Sequence, residues 1–144
     1  MTKEGYKLKI VMKPFQIKYK VISEIRHGSP YNIAELEIIG NSNFTIERNN
    51  NWQDKHSWSN SGDYFAQVKW ELGNNEPGFK IILFHSEKGK IMETKRILGC
   101  CNKVKLTEDL DIVYETFTLI SMKNKKVYGI EKGRVKTGYN KELR

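Results

Sequence analysis

At 144 residues, 38% hydrophobic and 29% charged, the chain has the size and balance of one soluble domain (1–144), able to fold without disulfides or metals. No apolar run reaches the ~20 residues of a membrane span. Lys7, Lys9 and Lys13 interrupt the stretch a signal peptide would need, so a cytoplasmic location without membrane contact is expected.

The net charge of +8 is unevenly placed. Residues 1–20 carry six lysines against one acid, and residues 123–144 carry eight Lys or Arg against two acids. The body between is slightly acidic, which argues against nucleic acid as a partner. Like-charge runs near termini ordinarily keep a protein soluble and protect edge strands.

In chain order, Tyr6–Met12 reads as a first strand. Phe15, Ile17, Tyr19 and Val21 form the inward face of a second, with Gln16, Lys18 and Lys20 outward. The two-residue period is what a pleated strand needs to bury one face. Gly28-Ser29-Pro30-Tyr31-Asn32 is a turn cluster. A third strand over 33–39 turns Ala34, Leu36 and Ile38 inward.

Residues 49–62, Asn-Asn-Asn-Trp-Gln-Asp-Lys-His-Ser-Trp-Ser-Asn-Ser-Gly, read as a long polar loop, of a length often reserved for function. Beyond it the period of two returns over 64–72, 79–85, 90–98, 101–106 and 110–120. In the first of these, Tyr64, Ala66, Val68, Trp70 and Leu72 share one face. Gln67, Lys69 and Glu71 share the other, with Phe65 the apolar exception. A last hairpin is predicted between 126–130 and 134–137, turning at Glu131-Lys132-Gly133. Nine or ten short strands with turn residues between them predict an all-β domain, an antiparallel β-sandwich or meander.

Chemistry-bearing motifs are sparse. His27, His56 and His85 share no ligand spacing with the adjacent Cys100 and Cys101, so no metal, cofactor or catalytic set is expected. The two cysteines are expected as reduced thiols, one inward and one outward, because neighbours on a strand point to opposite faces. Trp70, in phase with Val68, is expected in the core.

Two segments concentrate recognition chemistry. The bend 23–32 gathers Arg26, His27, Tyr31 and Asn32, and the 49–62 segment gathers Trp52, His56 and Trp58. Flat apolar rings among hydrogen-bonding groups suit a protein hot spot or a sugar ring. The leading expectation is therefore a non-catalytic binding protein. The alternatives are a glycan-binding module on the 49–62 loop and a hydrolase-like enzyme around His27 and Ser29.

The bend 23–32, Asn51-Trp52-Gln53-Asp54, Asn75-Glu76-Pro77-Gly78-Phe79 and Gly99-Cys100-Cys101 together resemble small bacterial β-proteins of toxin-immunity type, over roughly residues 15–115. The resemblance implies a cytoplasmic inhibitor that binds one protein toxin and blocks its active site. Immunity proteins against nucleases are usually acidic, and this chain is basic. It would suit an acidic or neutral toxin, or would use only its acidic middle.

Overall fold

The computed structural model describes residues 13–47, 49–73 and 76–139. The expected strand Tyr6–Met12 lies outside them. The described chain is all-β and antiparallel: β1 (Phe15–Glu24), β2 (Asn32–Gly40), β3 (Trp52–Trp58), β4 (Tyr64–Trp70), β5 (Gly78–His85), β6 (Gly89–Glu93), β7 (Ile97–Leu98), β8 (Cys100–Leu106), β9 (Ile112–Met122) and β10 (Lys125–Val135). No helix among the described residues is long and apolar enough to cross a membrane.

Strands β1 to β6 lie side by side in sequence order, with β7 paired to β5, while β10-β9-β8 form a second sheet. The second sheet packs on the first where β8 passes over β3 and β4. Between the sheets, Tyr64, Ala66, Val68, Phe79, Ile81 and Leu83 meet Cys101, Leu106, Leu110 and Ile112.

The other face of β4 and β5 is buried as well, which corrects the expectation of one wet face. Phe65, Ile82 and Phe84 pack beneath Phe15, Leu36 and Trp52, and both Phe65 and Gln67 are fully buried. The cause is the β1–β2 hairpin. It joins β3 through the single residue pair Ala34↔Trp52 and bends over that face. Phe65 stacks on Phe84 at 4.8 Å and meets Phe15 edge-on at 5.8 Å. Burial of each ring contributes about 1.5–3 kcal/mol, and each such pair about 0.5–1.5 kcal/mol more.

Four further expectations are corrected. Within the predicted 49–62 loop, residues 52–58 form strand β3. Its period is hidden because the residues facing β8 are polar: Gln53 Nε2 donates to the Cys101 carbonyl (2.7 Å), and Ser57 Oγ accepts from Leu106 N–H (3.0 Å). Val21 points outward, 70% exposed, because β1 bulges between Lys20 and Ser23 and Val21 takes φ 50°.

The last hairpin turns at Lys123-Asn124, where φ is 49° and 65°, and β10 runs unbroken through the predicted turn. Two positive φ values in a two-residue connection are the hairpin turn whose twist matches its strands. Gly133 marks a close approach instead of a turn, because a Cβ there would overlap the Tyr114 ring and hydroxyl. Both cysteines are free and buried: Cys101 lies between the sheets and Cys100 against Tyr31 and Trp70. Trp70 is in the core as expected.

Candidate functional site

The bend after β1 is built from its own backbone and one carboxylate. Glu24 accepts from the N–H of Gly28, Ser29 N–H donates to the Arg26 carbonyl (2.9 Å), and Ile25 N–H donates to the Tyr31 carbonyl (2.9 Å). Gly28 carries φ 83°, where glycine costs least. This leaves Arg26 and His27 exposed at the tip. Ser29 Oγ accepts from Tyr31 N–H at 3.1 Å, a structural use of the hydroxyl in which His27 takes no part.

Tyr31 turns inward from the bend and is 8% exposed. Its hydroxyl donates to Asn102 Oδ1 (3.1 Å), whose Nδ2 donates to Glu115 Oε1 (3.0 Å). Burial raises the Tyr31 pKa, so the hydroxyl stays protonated as a donor. Asn32 Nδ2 donates to Asp54 Oδ2 (3.0 Å), and its carbonyl accepts from the Trp70 indole (2.9 Å). Lys55 Nζ sits 5.9 Å over the Tyr31 ring, a cation–π position.

From Tyr31 a line of rings runs outward across the second sheet. Phe117 lies 6.1 Å from Tyr31, and Tyr128 stacks on Phe117 at 5.4 Å and 17°. Register places Ile130 opposite Phe117 and Leu119 opposite Tyr128, so the four side chains share a face. Tyr128 is 64% exposed, Ile130 44% and Leu119 43%. Arg26 lies close enough to Cys100, beneath Tyr31, for its charge to act on that thiol. Of the residues expected from the sequence, Arg26, Tyr31 and Asn32 lie at the inner end of this line of rings, and the exposed end was not among them. The available signal was Phe117, Leu119, Val127, Tyr128 and Ile130, more apolar side chains than a hairpin with one covered face uses.

The other predicted residues sit elsewhere. Trp52 is 2% exposed, packed in the cluster on the far face of β4, with Lys69 Nζ 5.4 Å over its ring. Trp58 is half-buried against Phe15 (5.3 Å) and Phe65 (5.0 Å). The flat faces read as open for a sugar are covered by protein: the bent β1–β2 hairpin seals the side they occupy. His56 is also half-buried there and belongs to a polar network.

Gln67 Nε2 donates to the carbonyls of Gln53 (2.7 Å) and Val68 (3.1 Å), which fixes its Oε1 as the acceptor for Tyr19 Oη–H (2.8 Å). Tyr19 has one proton to give. The 2.7 Å contact between Tyr19 Oη and His56 Nδ1 therefore requires the proton on Nδ1. Burial lowers the His56 pKa, with the charge of Lys13 adding to the effect. Gln53 Oε1, also fully buried, has no hydrogen-bond partner among the described residues.

A cleft of about 260 Å³ opens between β2 and residues 42–46, floored by Leu36 and Phe44 with Lys20 and Glu37 at its side. Lys20 and Glu37 form an ion pair, and none of the sequence-predicted residues lines the cleft. Among the described residues no group of three or more His, Cys, Asp or Glu side chains is placed to hold a metal.

The chain matches no protein-family model, and comparisons with curated proteins and with solved structures return no match.

Proposed function

We propose that this chain is a non-catalytic binding protein that recognises a protein partner, in the manner of an immunity-type inhibitor that covers a toxin. The observation that supports this reading is the run Tyr31–Phe117–Tyr128, a tilted contact followed by a stacked pair, which leads from the core out to a 64% exposed tyrosine. Aromatic and arginine anchors dominate the energetics of protein interfaces, and rings already held by stacking lose little freedom on binding. At the inner end Arg26 and Lys55 stand among the acids Glu24, Asp54 and Glu115, so both signs of charge are offered beside the rings.

The test is a photo-crosslinking phenylalanine analogue at position 128, installed in the full chain in its native cells. One discrete protein adduct is expected, absent when the probe stands at Lys88 on the exposed β5–β6 turn. Adducts with nucleic acid or carbohydrate only, or no adduct at all, would refute the reading.

A further inference from the structure

Strand β10 pairs with β9 over eleven consecutive residue pairs with no register shift, from Lys125↔Met122 to Val135↔Ile112. It is the outer strand of its sheet, and no described strand lies along its other side. The two-residue turn at Lys123-Asn124 makes Met122 and Lys125 a hydrogen-bonded pair. Strict alternation then directs the N–H and C=O groups of Lys126, Tyr128, Ile130, Lys132 and Arg134 away from β9.

Those five residues also carry their side chains on the face of the Phe117 stack, since Tyr128 lies opposite Leu119 and Ile130 opposite Phe117. The hairpin runs past β8, whose end pair is Cys100↔Phe117. A long edge of this kind is normally blunted by a bulge, a proline or a short length. Here lysines are the main device.

Residues 123–135 hold Lys123, Lys125, Lys126, Lys132 and Arg134 against Glu131 alone. That charge repels a second copy of the same edge and attracts an acidic strand. Arg134 is already paired with Asp111 at 3.0 Å; among the described residues Lys126 faces no acid and Lys132 stands opposite Glu115 without an ion pair, so both can meet a partner's carboxylates.

We propose that β10 is a docking edge for an acidic, extended segment of the protein partner, which adds to the sheet as a fourth strand. Its backbone takes up the outward N–H and C=O groups. Its acidic residues lie beside Lys126 and Lys132 and its apolar residues beside Tyr128 and Ile130. Backbone pairing supplies affinity and the alternate side chains supply choice of sequence. This inference rests on the protein-binding reading above.

The probe is a capped heptapeptide, Glu-Thr-Val-Thr-Val-Thr-Glu, titrated into the isotope-labelled full chain and read by amide hydrogen exchange and chemical shift. On binding, the amides of Lys126, Tyr128, Ile130, Lys132 and Arg134 are expected to slow by about tenfold or more. A backbone N-methylated version, and a version with Lys for Glu, are expected to leave them unchanged. The K126E/K132E double variant is expected to reverse the preference between the acidic and basic peptides.

Equal binding of the N-methylated peptide would overturn the edge mode, as would shifts confined to other strands or no shift up to millimolar peptide. Protection of these five amides in the free protein would overturn it too. Protection that rises with concentration would point to a second copy, and concentration-independent protection to the chain's own residues 1–12. Crosslinking from position 128 reports any protein partner whatever its mode of docking, so the edge can fail while the binding reading stands.

Discussion

Replacing Gln67 by leucine isolates the polar network inside the fold. Between the residue pairs Trp52↔Lys69 and His56↔Gln67, β3 inserts two extra residues, and the Gln67 amide fills the gap by donating to the Gln53 and Val68 carbonyls. Leucine keeps the bulk and leaves those carbonyls and the Tyr19 hydroxyl to find other partners. Each buried polar group so orphaned costs about 1–3 kcal/mol.

Tyr19 has an escape: if His56 moves its proton to Nε2, the Tyr19 hydroxyl can donate to Nδ1 across the existing 2.7 Å contact. The expected loss is therefore about 2–4 kcal/mol instead of the full sum. Tyr19→Phe alone should cost about 1–2 kcal/mol. The double variant should be more stable than the two losses added together by about 1 kcal/mol, because each single change strands the other's partner. Urea unfolding followed by tryptophan fluorescence measures all four corners of the cycle. Additivity within about 0.3 kcal/mol, or a Gln67→Leu variant as stable as the parent, would refute the network.

Trp52→Ala should destabilise the fold by about 3–5 kcal/mol, whereas Tyr128→Ala should stay within about 1 kcal/mol of the parent; thermal unfolding of the pair tests the assignment of one ring to the core and the other to the surface. Because the folded His56 pKa is lowered, the unfolded chain takes up its proton first. Stability should be full above about pH 6.5 and fall as the pH drops below it, with the slope reduced in His56→Gln; an unchanged slope in that variant would sink the assignment. Burial pushes the Cys101 thiol up to about 12, so its alkylation at pH 8 should run about a thousandfold slower in the native protein than in urea, and comparable rates measured by mass spectrometry would contradict its placement.

The strands that were legible in the sequence are those whose two faces differ in polarity. Ala34, Leu36 and Ile38 alternate with Glu35 and Glu37, and β2 falls where that pattern places it; β9, whose faces differ less, begins at Ile112 and not at 110, because Leu110 sits in a turn at φ 64°. Strand β3 was illegible because its inner polar residues answer backbone groups on β8, a partner 48 or 49 residues away. The turn at Lys123-Asn124 lost to Glu131-Lys132-Gly133 because a glycine signals both a bend and a close approach, and only the position of Tyr114 tells them apart. The candidate surface was half-legible for a related reason. Arg26 and Tyr31 are neighbours in the chain, whereas Phe117 and Tyr128 join them only through sheet register.

The single residue pair between β2 and β3 sets the order in which the molecule comes apart. Few backbone bonds need to break for the β1–β2 hairpin to lift as one body, since ring packing and side-chain contacts of Tyr19, Tyr31 and Asn32 hold it down. Such a sub-global opening requires less free energy than full unfolding, and it uncovers Phe65, Ile82 and Phe84 together. Proteolytic lifetime and the tendency to aggregate then follow that lid of two strands, whose tie to the second sheet runs from Tyr31 to Asn102 and Phe117.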